Sequence, residues 1–156
     1  FAIAIALPKV KVTLVDSASK KTNVLAKIVK ELGLDNRVFI CNERAEVIGH
    51  DKSFRGVFDI AMARAVAPPP IVAEYLVPLI NKDGEALLFT GQWNGSDAAK
   101  LEKALNKLKA KVITTQSNML PCNRGIRHQI RLKAREKCPE IYPRKVGVPK
   151  KNPLGS

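Results

Sequence analysis

The stretch VKVTLVDSASKKTNVLAKIVKELG, residues Val10–Gly33, decides the fold class. It opens with a run of β-branched and apolar residues that ends at Asp16, a pattern typical of a buried strand in a parallel sheet. The apolar residues that follow recur at helical spacing until a glycine ends the pattern, which predicts a helix up to Gly33. We expect Ser17 or Ser19 to cap this helix. A strand that leads directly into a helix is the repeating unit of an α/β protein.

The alternation of strands and helices continues along most of the chain. The next predicted elements are a strand over Arg37–Cys41, a helical turn over Arg44–Ile48, a strand over Val57–Arg64, a helix from Pro68–Pro70 onward, a turn at Asp83–Gly84, a strand over Glu85–Gly91 and a helix over Asp97–Lys109. Two further strands, KVITTQSN and IRHQIRLK, have no helix between them and therefore predict an antiparallel edge. The sequence thus predicts a largely parallel sheet with helices on both faces and an antiparallel edge.

The charge of the chain is strongly asymmetric. Residues 1–90 hold 12 Lys/Arg and 10 Asp/Glu, a net charge of +2, whereas residues 91–156 hold 15 and 4, a net charge of +11, which together give the total of +13. Such a field favours a polyanionic partner, of which nucleic acid fits best, although a basic surface that only maintains solubility is the alternative. A membrane partner is not expected, because no apolar run approaches the roughly 18 residues that a spanning helix needs.

The cysteine and histidine pattern indicates neither a disulfide framework nor a metal site. Cys41, Cys122 and Cys138 are odd in number and lack C-x-x-C spacing, which favours a reducing compartment. The two histidines, His50 and His128, lie far apart in sequence, so no metal is expected. The opening FAIAIALP has no charged start and no cleavage pattern, so it is not interpreted as a signal peptide.

Four residues lie at the ends of three predicted elements, on the side of the sheet where parallel strands have their carboxyl ends. In an open parallel sheet, ligands bind outside these ends. The four residues are Asp16, the Ala45–Glu46 pair and Arg64. A strand-end acid can accept hydrogen bonds from two ribose hydroxyls, so the set predicts a nucleoside site. The alternatives are a helix-capping role for Asp16 and an ion pair for Arg64.

Ten cations in the basic part of the chain are candidates for contact with RNA phosphates. They lie on the predicted helix, around the last pair of strands and in the proline-rich end, and are Lys100, Lys103, Lys107, Arg124, Arg127, Arg131, Arg144, Lys145, Lys150 and Lys151. Residues 139–156, which we name the strap, are rich in proline and cations, so their stiffness would lower the entropy cost of phosphate binding. The alternative is a structural strap that packs through Ile141, Tyr142, Val146 and Val148.

The single tryptophan, Trp93, has two possible roles. It either stacks on a flipped base or is a packing residue.

The segments KVTLVDSASKK, NERAEVIG, FDIAMARAVAPPP and YPRKVGVPKKNPL together resemble the bacterial-type small-subunit ribosomal RNA methyltransferase G family, also called glucose-inhibited division protein B. The second half, with GQWN and IRHQIRLK, is similar to the cyanobacterial and plastid branch. The resemblance implies a class I, Rossmann-like methyltransferase that uses S-adenosylmethionine to methylate guanine N7 in 16S ribosomal RNA. Residues 1–138 would form the methyltransferase domain and residues 139–156 the strap.

The resemblance also implies roles for the strand-end residues. Asp16 and Ser17 match the family's contact to the adenosine ribose, with Ala18 next in the same segment, while Ala45–Glu46 match the pair that flanks adenine. Arg64 matches the motif arginine at the cofactor and substrate cleft. Neither a catalytic base nor a metal is implied, because N7 already carries a lone pair. The implied partner is ribosomal RNA in the small subunit, bound by a monomer in the bacterial cytoplasm or the chloroplast stroma.

The sequence departs from the family pattern at two places. The glycine-rich loop and the first strand are missing, since FAIAIALP is similar to the end of the first helix. Thr90 also stands where many relatives carry a lysine. We therefore expect this truncated chain to bind the cofactor weakly or not at all and to be inactive alone. The alternative is a non-catalytic RNA-binding relative that has lost the cofactor loop.

Overall fold

The computed structural model describes all residues from 1 to 156, and they divide into two compact units. The first unit comprises residues 1–45 and the second comprises residues 46–156. The strap therefore belongs to the second unit and does not form a unit of its own. A short helix α3, Ala45–Ile48, begins at the last residue of the first unit.

The first unit is built around two parallel strands. Its elements are α1, Ala2–Ala6; β1, Val12–Val15; α2, Ser19–Glu31; and β2, Val38–Cys41. The two strands pair in register from Val12 opposite Val38 to Val15 opposite Cys41. A small core of Ala4, Val29, Leu34 and Val38 joins the helices to the strands.

The start of α2 differs from the sequence prediction, whereas its end agrees with it. The N-cap residue is Ala18 rather than a serine, and the hydroxyl of Ser19 donates to the side chain of Asn42. The serine-cap prediction is wrong, because no side chain caps this helix and the hydroxyl of Ser19 is bound to Asn42 instead. The carboxylate of Asp16 accepts the N–H of Ala18 in the turn before the helix. Gly33 has a φ of 62°, the left-handed conformation that ends a helix.

The second unit contains a four-stranded mixed sheet. Its elements after α3 are β3, Phe58–Arg64; α4, Pro69–Leu76, followed by a 3₁₀ turn; β4, Ile80–Thr90; α5, Gly95–Leu108; β5, Ala110–Met119; β6, Ile126–Ala134; and α6, Val148–Lys151. The strand order is β3-β4-β6-β5. Strand β3 pairs parallel to β4, while β6 pairs antiparallel to both β4 and β5. The predicted α/β class with an antiparallel edge is confirmed.

Helices α4 and α5 supply the core of the second unit. Leu88 on β4 and Ile130 and Leu132 on β6 lie on one face of the sheet and are fully buried. Burial of each such side chain contributes roughly 1.5–3 kcal/mol.

Helix α5 begins with a reciprocal capping box, in which the side chain of Asn94 accepts the backbone N–H of Asp97 and the backbone N–H of Asn94 donates to the carboxylate of Asp97.

Two details of the sheet differ from the prediction. The six strands form two sheets, one of two strands and one of four, instead of a single sheet. The sheets are separate because no strand of this chain pairs with both β1 and β3. The predicted turn at Asp83–Gly84 is wrong, since β4 runs through these residues. The register nevertheless jumps there, from Ile80 opposite Phe58 to Glu85 opposite Ile60. The side chain of Asn81 accepts the N–H of Asp83 within this bulge.

Candidate binding site at the strand ends

Asp16 lies directly after β1, at the carboxyl end of the strand. Its Oδ1 accepts the backbone N–H of Ala18 at 2.9 Å, and its Oδ2 lies 3.3 Å from the ammonium of Lys21. The hydrogen bond from Ala18, with that from Lys21, lowers the pKa of this carboxyl below its usual value. The side chain is 31% exposed, and an ionised carboxylate offers about four lone-pair positions. Asp16 therefore holds the turn before α2 and keeps capacity to accept further hydrogen bonds.

Asn42 joins the two strand ends of the first unit. Its amide donates to the carbonyl of Asp16 at 2.9 Å, and its oxygen accepts the Ser19 hydroxyl at 2.8 Å. The structure thus brings the segment Asp16–Ala18 to the same edge as the chain that leads from β2 to Ala45. Sequence reasoning missed Asn42, although its place directly after a predicted strand was a usable signal.

One oxygen of the Glu46 carboxylate is already bonded within the second unit. The residue is 6% exposed, and its Oε1 accepts the Tyr75 hydroxyl and the backbone N–H of Gly147, both at 3.2 Å. The side chain consequently anchors the strap. The second carboxylate oxygen, Oε2, makes no hydrogen bond.

Arg64 ends β3 and is exposed. Its guanidinium makes neither a hydrogen bond nor an ion pair, so the alternative of an ion pair with a neighbouring acid is wrong. The next residue, Ala65, has a φ of 56°, a left-handed conformation that costs an alanine about 1–2 kcal/mol. Strain of this kind directly after a strand is common in binding sites. The prediction that Arg64 and Asp16 line one cleft stays a prediction.

The carboxyl end of β4 brings further polar groups beside Arg64. Arg64 is the register partner of Phe89, and Thr90 is that of His128 on β6. The ring of His128 lies 3.2 Å from the carbonyl oxygen of Gly91. This end of the four-stranded sheet therefore carries a free guanidinium and an imidazole, and it carries no acid.

The ten predicted phosphate-binding cations fall into two groups. Arg131 is held by Glu85 through two hydrogen bonds of 2.8 and 2.9 Å, and Arg144 is held by Glu74. Because these guanidinium groups are already bound to carboxylates, they are poor ligands for phosphate. The other eight make no ion pair and are exposed; they are Lys100, Lys103, Lys107, Arg124, Arg127, Lys145, Lys150 and Lys151.

The strap is fixed to the second unit by polar residues that the sequence analysis missed. Arg55 donates to the carbonyl oxygens of four residues: Gly49, Cys138, Pro139 and Tyr142. The ring of His50 lies 2.6 Å from the carbonyl oxygen of Pro143. Residues 138–144 are thus held through polar contacts. The predicted packing through Ile141 and Val146 is wrong, because these side chains are exposed, whereas Tyr142 and Val148 are partly buried. The strap's lysines face outward. The strap also forms one helical turn, α6, in which Pro149 is tolerated because it lies in the first turn.

Trp93 is half buried and lines a groove of about 360 Å³ with residues of α5 and β5, among them Leu105 and Ala110. This position agrees with the packing alternative more closely than with a role in base stacking.

A larger cavity of about 550 Å³ lies where β3 and β4 begin, and Lys52, Arg55 and Arg135 are among the residues that line it.

No cluster of three or more His, Cys, Asp or Glu side chains in this structure has the geometry of a metal centre. None of its helices combines the length and the apolar character needed to cross a membrane. Cys41, Cys122 and Cys138 form no disulfide with one another.

Solved structures with the same architecture define the class of fold. The chain superimposes on the mitomycin 7-O-methyltransferase MmcR with a TM-score of 0.62 at 13% identity, over 85% of this chain and 44% of that one. It superimposes on the cyclase SpnF with a TM-score of 0.63 at 11% identity, over 85% and 70% of the two chains. At such low identity the likeness shows the fold alone, which is that of the class I methyltransferases.

The family follows from the sequence. The profile of the rRNA small subunit methyltransferase G family, GidB, matches residues 1–128, so the chain belongs to this family. Over 154 residues it is 54% identical to the ribosomal RNA small subunit methyltransferase G of Prochlorococcus marinus (strain MIT 9313) and 50% identical to that of Parasynechococcus marenigrum (strain WH8102). The match covers 99% of this chain but 62% of each relative, so the chain spans less than two thirds of their length.

Proposed function

We propose that this chain is part of an enzyme that transfers a methyl group from S-adenosylmethionine to guanine N7 in small-subunit ribosomal RNA. The observation that carries the proposal is the family match over residues 1–128, which includes every strand-end residue described above. The structure supports it with an acid of lowered pKa directly after β1, Asp16, and an unpaired arginine as the last residue of β3, Arg64.

The residues at the end of β1 fit the nucleoside part of the cofactor. Asp16 keeps free acceptor positions although Ala18 and Lys21 are bound to it, and hydroxyl groups of a ribose need acceptors of this kind. Ser17 and Ala18 would lie beside the same ribose. Ala45 and Glu46 would flank the adenine, and main-chain contacts are favoured because the side chain of Glu46 is largely buried.

The reaction needs positioning rather than acid–base catalysis. When bound, S-adenosylmethionine would supply an electrophilic methyl group for the lone pair of guanine N7. Because N7 carries no proton, the site needs no general base. Holding two reactants in line can lower the barrier by roughly 7–11 kcal/mol. Arg64 is the chain's own candidate for orienting the guanosine, since its guanidinium is exposed and unpaired.

The exposed cations support an RNA substrate. Lys100, Lys103 and Lys107 lie along α5, and Lys145, Lys150 and Lys151 lie in the strap. None of these six has an acid partner, so each can replace a counterion on a phosphate. The proposed partner is ribosomal RNA within the small subunit, bound by a monomer.

Methyl transfer by the full-length protein tests the proposal. With small-subunit RNA and radiolabelled S-adenosylmethionine, we expect N7-methylguanosine as product and a loss of at least about a hundredfold in kcat/KM for Arg64→Gln. Lys82→Gln is the matched control, because Lys82 is exposed and lies at the opposite end of β4. Failure of the wild-type protein to methylate RNA would overturn the function, whereas full activity of Arg64→Gln would overturn only the role of Arg64.

The second candidate is RNA binding without methyl transfer. It is favoured by the net charge of +11 over residues 91–156, which needs no cofactor to attract RNA. Calorimetric titration with S-adenosylmethionine separates the two candidates: micromolar affinity of the full-length protein supports the enzyme, and salt-dependent RNA binding without cofactor binding supports the alternative.

We also propose a reducing compartment, the bacterial cytoplasm or the chloroplast stroma. The support is that the three cysteines are odd in number and lack C-x-x-C spacing, a pattern that favours a reducing compartment.

A further inference from the structure

The β5–β6 hairpin extends beyond the rest of its sheet. The last residue of β4, Thr90, pairs with His128, which in turn pairs with Ser117. Two more pairs of the hairpin lie past this point, Asn118 opposite Arg127 and Met119 opposite Ile126. The hairpin tip, residues 118–127, therefore projects at the end of the sheet where β3 and β4 finish.

The tip exposes two apolar side chains that face each other across the hairpin. Met119 is 65% exposed and Ile126 is 44% exposed, and they are register partners at the last rung of the ladder. The turn behind them is closed by a hydrogen bond of 2.9 Å from Leu120 to Gly125. An apolar pair fixed on a closed turn and left open to solvent is a contact surface for a flat apolar group.

The charge around this pair is entirely positive. Arg124 and Arg127 belong to the same tip, and both are exposed without an acid partner. No acidic residue occurs anywhere from Lys103 to Arg135. The tip therefore carries an exposed apolar pair and two guanidinium groups without an acid partner, one of which, that of Arg127, also donates to the carbonyl oxygen of Ile126. This combination complements a nucleobase flanked by phosphates.

We propose that the hairpin tip binds an unpaired nucleotide of the RNA substrate. Met119 and Ile126 pack against the base or its ribose, and Arg124 and Arg127 bind the adjoining phosphates. Only an unstacked base exposes the flat face that the apolar pair needs, so the tip selects loops and bulges over continuous duplex. This inference rests on the proposed function for the identity of the polymer as RNA, and it adds the structural class of RNA that is recognised.

The test compares two RNAs at one salt concentration. A labelled stem–loop and a blunt duplex of equal length are titrated with the full-length wild-type protein and with Met119→Thr/Ile126→Thr. Threonine is β-branched and therefore compatible with both strands. We expect the double variant to lose about tenfold in affinity for the stem–loop and to bind the duplex as before. Its salt slope stays unchanged, because no charge is removed.

Two further variants make the result specific. Ile141→Thr/Val57→Thr alters two comparably exposed apolar residues elsewhere, at 70% and 53% exposure, and is expected to bind both RNAs like the wild type. Arg124→Gln/Arg127→Gln is expected to flatten the log–log salt slope by about 1.4, two contacts at about 0.7 each. Unchanged stem–loop affinity of the threonine variant, or an equal loss on the duplex, would overturn the inference. Methyl transfer by the wild-type protein is measured in parallel, so failure of the proposed function is recognised separately.

Discussion

Arg144 and Glu74 form a charge pair that fastens the strap to helix α4. The Nη2 and Nε atoms of Arg144 lie 2.7 and 2.9 Å from the two carboxylate oxygens of Glu74, and the backbone N–H of Arg144 donates to the same carboxylate at 2.8 Å. Glu74 is 0% exposed, whereas the side chain of Arg144 is 21% exposed. The hydrogen bonds to Glu74 raise the pKa of the Arg144 guanidinium, so this group stays charged across the physiological range.

Arg144→Ala should destabilise the protein markedly. The substitution leaves the carboxylate of Glu74 buried with only a backbone donor, and removal of one partner of a buried pair costs about 3 kcal/mol or more. The free energy of unfolding, measured by urea denaturation, checks this. Lys145→Ala changes the neighbouring exposed cation and should alter that energy by less than about 0.5 kcal/mol. Similar stability of the two variants would show that the strap does not depend on the pair.

A second prediction compares two glycines. A Cβ at Gly84 would lie 2.6 Å from the carbonyl oxygen of Phe58, so Gly84→Ala should displace β4 from β3 and cost about 2 kcal/mol. A Cβ at Gly95, in the first turn of α5, would meet nothing within 4 Å, so Gly95→Ala should stabilise by roughly 0.5 kcal/mol. Thermal unfolding of both variants checks the opposite signs. A neutral Gly84→Ala would contradict the tight approach of the two strands.

The elements of the fold could be predicted because their signals are local. Helix α5, predicted over Asp97–Lys109, is observed over Gly95–Leu108, since its apolar spacing is contained in the helix itself. The Asp83–Gly84 turn could not be predicted correctly, because the register of β4 is decided by its pairing with β3. The division into two sheets also depends on which strands pair with one another, and no local sequence pattern indicates that pairing.

The strand-end positions of the candidate residues could be predicted from sequence, whereas the burial and the hydrogen-bond partners of their side chains could not. The strand-end places of Asp16 and Arg64 follow from the strand pattern. The burial of Glu46 does not, because it depends on Gly147, which lies 101 residues further along the chain. Glu74 gave a partial signal, since a single acid in the apolar stretch PPIVAEYLVPL indicates a buried, paired charge. Its partner, 70 residues away, could not be identified from sequence.

The three thiols should differ in reactivity. Burial raises the pKa of Cys138 to about 11, whereas Cys122 is exposed at the hairpin tip. At pH 8 an ordinary thiol is partly ionised, so Cys138 should react at least about a hundredfold more slowly with iodoacetamide than Cys122. Mass spectrometry of the native protein over time checks the order, and in urea the rates should converge. Rapid native labelling of Cys138 would show that residues 138–144 are not held as described.

Asp16 should make stability depend on acid pH. Because its folded pKa lies below the unfolded value of about 3.9, its contribution is fully present above that value and is lost as pH falls through the folded pKa. Asp16→Asn keeps an oxygen for the N–H of Ala18 and removes the charge, so its unfolding energy should vary less between about pH 2 and 5. Asp35→Asn, at an exposed residue with no hydrogen bond, is the control. Equal acid dependence in wild type and Asp16→Asn would contradict the lowered pKa.

The free cations should set the salt dependence of RNA binding. Replacing Lys100, Lys103 and Lys107 by Gln removes three unpaired charges from α5, and at about 0.7 per phosphate contact the log–log slope should flatten by about 2. Arg131→Gln/Glu85→Gln is the matched control, because this pair is already neutralised internally and its removal leaves the net charge unchanged. Fluorescence anisotropy with labelled small-subunit RNA over a range of salt concentrations measures both slopes. Equal slopes for the α5 variant and the wild type would exclude α5 from the protein surface that binds RNA. A flattened slope for the control variant would show that Arg131 exchanges Glu85 for an RNA phosphate on binding.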